Sequence, residues 1–198
     1  GAPTVPGLAM WRGTVITGTI QRNTLYKQPS WATLVPNGAK MFVEIKSANG
    51  VLVDGNISDG APGAALVGLT PRNQDGGSPW QTARNVTISN NLSRAGSIIA
   101  LQLLDNEQTT TPGGTIVLTN NLWTKALDGN MRNWLETGGG DGVTITHNTV
   151  RIIQSDIGGT AMRNTGAAAV VNGQEWGQAN VLLRDNVLYV TGPQNVAW

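Results

Sequence analysis

Along this chain one short phrase recurs six times, an aliphatic strand followed by polar residues ending in asparagine, and in five of the six two aliphatic residues stand two apart. The phrases are Ile20-Gln-Arg-Asn23, Val51-Leu-Val53-Asp-Gly-Asn56, Val86-Thr-Ile88-Ser-Asn-Asn91, Ile116-Val-Leu118-Thr-Asn-Asn121, Val143-Thr-Ile145-Thr-His-Asn148 and Val181-Leu-Leu183-Arg-Asp-Asn186. The first phrase keeps the least of the pattern. Residues two apart share one face of a strand, so each aliphatic pair points into a core and the residue between them points out. Asparagine tolerates the left-handed backbone conformation better than most residues with a side chain, which makes it the expected turning residue. The next inward side chain is then expected at once, as Ile57, Leu92, Leu122 or Val187.

A second apolar segment precedes most of the phrases: Met41 to Ile45, Ala65 to Leu69, Ile98 to Leu101, Trp134-Leu135 and Ala167 to Val171. These read as the first strand of each repeat. Successive asparagines lie 33, 35, 30, 27 and 38 residues apart (56−23, 91−56, 121−91, 148−121, 186−148). If each interval is one circuit of a solenoid, the asparagines stack and their amides bond along a column, as in other stacked β structures. The expected fold is therefore all-β: a right-handed parallel β-helix of about six coils with an Asn ladder, roughly 29 Å long at the usual strand spacing. The competing architecture is a β-sandwich with asparagine-containing hairpin turns. A sandwich gives no reason for the same turn residue to follow an aliphatic strand six times.

Composition agrees with many strands and turns. Only 13% of the 198 residues are charged, while glycine reaches 26. The 13 basic and 12 acidic residues are scattered without runs, which removes the electrostatic footprint of a nucleic-acid or anionic-membrane binder. No apolar run approaches the roughly 20 residues of a spanning helix, so no membrane insertion is expected. With no cysteine, disulfides and thiolate metal sites are excluded. The length fits one domain over residues 1–198. A first residue of Gly rather than Met fits a processed, exported chain, a cloning remnant or a fragment.

Three stretches carry a family resemblance. Met41 to Asn56 (Met-Phe-Val-Glu-Ile-Lys-Ser-Ala-Asn-Gly-Val-Leu-Val-Asp-Gly-Asn), the upstream Gln21 to Trp31, and Asn73 to Trp80 followed by Asn85 to Asn91 resemble secreted bacterial right-handed parallel β-helix repeat proteins of the broad pectate-lyase-like superfamily. The resemblance implies a β-helix fold, export from a bacterial cell, and substrate on a lateral face of the kind that β-helix polysaccharide enzymes use. It brings no catalytic residues with it. The chain is shorter than the resemblance leads one to expect, and it ends at Trp198 soon after a strand-like segment, Val181 to Val190, without an obvious cap. It is therefore read either as a whole β-helix domain or as part of a longer one.

Variable segments at 70–85, 105–115, 138–142 and 172–180 would emerge on one side of the rod, because equivalent positions in a solenoid stack. They carry Arg72, Asp75, Trp80, Arg84, Asp105, Glu107, Asp141, Glu175 and Trp176. The strands beside them would turn Glu44, Lys46, Gln102 and Glu136 outward. Glu44, Glu136 and Asp75 are the candidate catalytic acids, and Lys46, Arg72, Trp80, Gln102 and Trp176 the candidate substrate contacts. Glycoside hydrolysis needs two carboxyl groups about 5 to 9.5 Å apart, for which Glu44 with Glu136, or Asp75 with Asp105, are the candidate pairs. Such acids can equally be solvated surface. Neither the Asn-Thr-Asp, Asp-Asp, Gly-His-Gly set of a polygalacturonase nor the arginine signature of a pectate lyase is present.

Seven tryptophans against one phenylalanine suit sugar stacking, although the same indoles can pin loops to the rod. His147, the only histidine, stands just before Asn148, where a solvent-facing turn is the expected role, and one histidine cannot build a multi-histidine zinc site. No cofactor and no resident metal are expected; calcium in the Asp75 or Asp105 loop rests on composition alone. Asn56, Asn85 and Asn91 match the glycosylation acceptor pattern, but modifying Asn56 or Asn91 would break the stack.

Two functions follow. The first is an extracellular protein that binds or processes polysaccharide, with binding favoured because no catalytic signature is complete. The second is a structural module whose uncapped β-helix ends join copies of the chain or extend a longer β-helix.

Overall fold

The computed structural model describes residues 17–34, 41–60, 66–69, 71, 81–94, 102–104, 114–127, 135–138, 141–154, 162–164, 169–171, 174–176 and 179–191. In chain order its strands are β1 (Gly18–Gln21), β2 (Thr24–Lys27), β3 (Val43–Ile45), β4 (Ala48–Asp54), β5 (Ile57–Gly60), β6 (Val67–Leu69), β7 (Ala83–Ser89), β8 (Leu92–Ser93), β9 (Gln102–Leu104) and β10 (Gly114–Thr119). There follow β11 (Leu122–Leu127), β12 (Leu135–Gly138), β13 (Asp141–Thr146), β14 (Thr149–Gln154), β15 (Met162–Asn164), β16 (Ala169–Val171), β17 (Gln174–Trp176), β18 (Ala179–Arg184) and β19 (Val187–Thr191). A single helical turn, α1 (Trp31–Leu34), sits between β2 and β3.

Every strand except β16 and β17 belongs to one of three parallel sheets. The first runs β1-β4-β7-β10-β13-β18, the second β2-β5-β8-β11-β14-β19 and the third β3-β6-β9-β12-β15. The chain visits the first, second and third sheets in turn and comes back to the first one strand further along, which makes a β-helix-like solenoid. The sandwich would need antiparallel hairpin pairing, and the three sheets contain none.

The aliphatic pairs do what their spacing predicts. Val51, Val86, Ile116, Val143 and Val181 follow one another in register, as do Val53, Ile88, Leu118, Ile145 and Leu183. From Val51 to Ile145 all of these are buried. Val43 and Ile45 on β3 face the same core and pair with Val67 and Leu69 on β6. In the second sheet, Ser58 and Ser93 are buried and bonded Oγ to Oγ at 3.1 Å, and the next inward position holds Trp123, with no surface exposed.

The corner between the first and second sheets holds the stack together. Among the described residues it occurs six times and is always two residues long: 22–23, 55–56, 90–91, 120–121, 147–148 and 185–186. The second residue is the asparagine of the repeat. Asn23, Asn56, Asn91, Asn121 and Asn148 each donate from the backbone N–H and from Nδ2 to Oδ1 of the next asparagine, at 2.9–3.0 Å. Each asparagine from Asn56 onward also bonds back through Nδ2 to a carbonyl of the preceding circuit: Ile20, Val53, Ile88, Leu118 and Ile145. The expected ladder is thus a continuous column, and Asn56, Asn91, Asn121 and Asn148 are almost wholly buried in it.

Two details differ from the sequence expectation. The left-handed residue is the one before the asparagine: Arg22, Gly55, Asn90, Asn120, His147 and Asp185 have φ between 52° and 65°. The asparagine points inward to reach its column, so the reversal falls on the exposed neighbour, which need not be asparagine. For the same reason the second strand is shifted by one residue. Leu122 and Val187 are 39% and 59% exposed, while Leu25, Ser58, Ser93, Trp123, Val150 and Leu188 form the inward row. With a period of two, an inward asparagine forces its successor out.

A second left-handed residue precedes each first aliphatic from the second circuit on: Gly50, Asn85, Thr115, Gly142 and Asn180. Thr115 is β-branched there, which costs about 1–2 kcal/mol relative to glycine.

The column generates a stability prediction. Asn121→Ala leaves the Asn91 N–H and Nδ2 without the Asn121 oxygen they share and takes one donor from the Ile88 carbonyl. Several buried groups lose partners at once, so the expected loss is about 3 kcal/mol or more. Asn120→Gly, at the exposed left-handed neighbour, is expected to stay within about 0.5 kcal/mol of the parent. Urea midpoints compare the two; equal shifts would contradict the assignment.

Candidate functional site

β1, β2 and β3 are the first strands of the three sheets, and the third sheet ends at β15, one strand short of the other two. An open recess of about 520 Å³ lies between β1 and the β3–β4 segment. Ile20, Ile45, Ala48 and Val51 give it an apolar floor, and Glu44, Lys46 and Ser47 stand among the polar groups around it. Because Val43 and Ile45 are held in the core, Glu44 between them faces out. Its carboxylate pairs with Lys46 Nζ at 3.6 Å. Lys27 fastens the start of β3 by donating from Nζ to the Met41 carbonyl at 2.8 Å and lying 5.1 Å over the Phe42 ring. Burial lowers the pKa of Lys27.

Backbone register continues the position of Glu44 across the third sheet. Glu44 pairs with Gly68, Glu136 pairs with Gln102 on one side and with Arg163 on the other, and the pairing of Leu69 with Leu103 sets Gly68 beside Gln102. The row therefore reads Glu44, Gly68, Gln102, Glu136, Arg163. Met41 lies over Gly68, where any Cβ would come within 1.9 Å of the Met41 sulfur. Sequence reasoning identified Glu44, Gln102 and Glu136 but missed Arg163, since Met162-Arg-Asn164 carries no alternating aliphatic pair to mark it as a strand. Glu44 and Glu136 stand three strands apart, about 14 Å at ordinary strand spacing. That is wider than the roughly 5–9.5 Å between the carboxyl groups of a glycosidase pair.

The remaining candidates fall elsewhere. Trp176 lies on β17, which pairs antiparallel with β16 in register Ala169↔Trp176. Of the segment at Ala167 to Val171, expected as a strand of the solenoid wall, Ala169–Val171 is instead one arm of this hairpin, and β15 takes the place in the third sheet. Asp75, Arg72 and Trp80, together with Asp105, lie outside the described residues. His147 occupies the exposed turn expected of it, with Nε2 3.7 Å from Asp185 Oδ2. Among the described residues no group of three or more His, Cys, Asp or Glu side chains is placed to hold a metal ion, and no helix is long and apolar enough to cross a membrane.

Sequence reasoning also passed over Asp54, which collects three side-chain donors at the end of β4. Ser89 Oγ and Asn90 Nδ2 reach Oδ1 at 2.8 and 2.6 Å, and Gln21 Nε2 reaches Oδ2 at 3.2 Å. Asn120 Nδ2 donates in turn to Asn90 Oδ1 at 2.7 Å, which extends an outer amide row beside the buried one. The Ser89 hydrogen bond, then that from Asn90, holds the Asp54 carboxyl below the ordinary carboxylate range; desolvation opposes this, and Gln21 and Arg22 assist. Only its place at the strand end, one residue before the left-handed turn, could have marked it.

No protein-family model, no curated protein and no solved structure matches the chain.

A group whose folded pKa is depressed adds stability above its unfolded value, and that stability is lost as pH falls through the folded value. Asp54 should therefore steepen the loss of stability as pH drops below about 4. Asp54→Asn is expected to lower stability at neutral pH and to flatten this acid limb. Urea unfolding between neutral and acid pH measures it; an unchanged slope would contradict the role given to Asp54.

Proposed function

We propose that the chain is a right-handed parallel β-helix of about six coils, of the secreted bacterial pectate-lyase-like kind, that binds polysaccharide along its third sheet. Two six-stranded sheets support the coil number, and the general right-handedness of parallel crossover connections supports the hand. The observation that carries the functional reading is the register row Glu44, Gly68, Gln102, Glu136, Arg163. In it Gln102, Glu136 and Arg163 follow one another in backbone register on β9, β12 and β15, with Glu44 beyond Gly68 on β3.

A row of polar positions repeating at strand spacing suits a linear, repeating polymer better than a compact ligand. Carboxylates accept from sugar hydroxyls, and the amide, Arg163 and Lys46 donate to hydroxyl, ring or carboxylate oxygens. Binding is favoured over hydrolysis because Glu44 and Glu136 stand too far apart to act on one glycosidic bond. Trp176 on its hairpin, with Arg72, Asp75 and Trp80 from the connection between β6 and β7, supplies the remaining contacts of this reading.

The test is co-sedimentation of the chain with a panel of neutral and acidic polysaccharides. At least one is expected to retain the protein. Glu136→Gln and Trp176→Ala should each weaken retention roughly tenfold, the scale of one charged hydrogen bond or one stacking contact, with unchanged thermal melts. Failure of every polysaccharide to bind the parent protein would overturn the reading.

A further inference from the structure

The two ends of the stack differ, and the difference has a direction. At the β18–β19 end, Val181 and Leu183 occupy inward positions, in register with buried Val143 and Ile145, yet they are 45% and 42% exposed. Tyr189 on β19 is 55% exposed. Side chains built for a core thus stand at the surface where the stack stops, beside the outer edges of two parallel sheets. Such edges recruit further strands.

The asparagine column says what kind of strand fits there. Each asparagine up to Asn148 sends its N–H and Nδ2 toward Oδ1 of the next. The column therefore finishes in donors at Asn186 and begins with an acceptor, Oδ1, at Asn23. Among the described residues, Asn186 bonds back to Ile145 and to its own circuit at Arg184, and no further asparagine oxygen meets it. A contact between two β18–β19 ends would set donors against donors. A contact between the β18–β19 end of one copy and the β1–β2 end of another sets Asn186 donors against an Asn23 oxygen.

We infer that this surface binds a second copy of the same chain head to tail, its β1 and β2 continuing the first and second sheets beyond β18 and β19. The register of the interior pairs, carried one step on, places Leu183 on Ile20 and Tyr189 on Tyr26 of the next copy. It also brings Asp185 one strand spacing from the Arg22 guanidinium of that copy, an opposite-charge pair. The backbone repeats the pattern: His147 N–H donates to the Arg184 carbonyl and Val187 N–H to the Asn148 carbonyl. Asp185 N–H would meet the Gln21 carbonyl, and Thr24 N–H the Asn186 carbonyl. Because the two contacting surfaces are different, the contact does not close on itself, and association proceeds to chains rather than stopping at a dimer. This inference is independent of polysaccharide binding.

Sedimentation velocity of the full chain over a range of protein concentration tests it. The expected result is a sedimentation coefficient that rises with concentration and passes beyond a dimer. Leu183→Lys should abolish association of the variant with itself. Mixed with parent protein, it should still attach through its intact β1–β2 end and shorten the chains. Asp185→Arg, at an exposed position beside Arg184 and His147, should weaken association roughly threefold to tenfold, the scale of a reversed exposed ion pair. Circular dichroism of both variants checks that they fold, and Asp185→Arg keeps the test decisive should Leu183→Lys not. A parent protein that stays monomeric at every concentration would overturn the inference. So would a species that stops at a dimer from which Leu183→Lys is excluded.

Discussion

A carboxamide buried in a protein core has two N–H donors and an oxygen with two lone pairs, and each group left without a partner costs about 1–3 kcal/mol. The column from Asn23 to Asn186 meets that demand only when successive circuits lie in one register. A slip of a single residue at any circuit would leave a buried amide unsatisfied and turn a row of aliphatic side chains to solvent. Aliphatic columns alone would tolerate a slip of two residues, which keeps the same face inward. The amides do not, and they turn a pile of similar strands into one arrangement.

The same constraint explains where the chain is free to vary. The corner that carries the asparagine is two residues long in each described circuit, one left-handed and one in the column. The other two corners range widely: β3 and β4 are joined by Lys46 and Ser47 alone, whereas 70–82 separate β6 from β7 and 165–178 separate β15 from β18. Binding chemistry can change at those corners without touching the column. The third sheet lies between them, and it carries the mixed polar row.

Much of this was legible in the sequence. The aliphatic pairs and the six asparagines are tied to a period-two strand and to a buried amide, both of which depend on residue type in a fixed order. The outward position of Glu44 followed from its neighbours in the same way. The reversal of the backbone was less legible, because it depends on φ at an exposed site where Arg22, Gly55 and His147 are all accepted. Assigning it to the asparagine moved the second strand by one residue and put Leu122 inside instead of Trp123. The hairpin of β16 and β17 misled for another reason: Ala167 to Val171 is as apolar as a wall strand, and only the Asn172-Gly173 pair between the two arms, a favoured hairpin turn, marks it as different. Arg163 and Asp54 owe their places to pairing across circuits, which a linear reading does not contain.

The central claim is that the asparagine amides are closed into the core, and hydrogen exchange of their side-chain N–H groups measures this most directly. Nδ2 protons of Asn56, Asn91, Asn121 and Asn148 are expected to exchange as slowly as the backbone amides of Ile88 and Leu118, while those of exposed Asn90 and Asn120 exchange at once. Rapid exchange at all six sites alike would contradict the account.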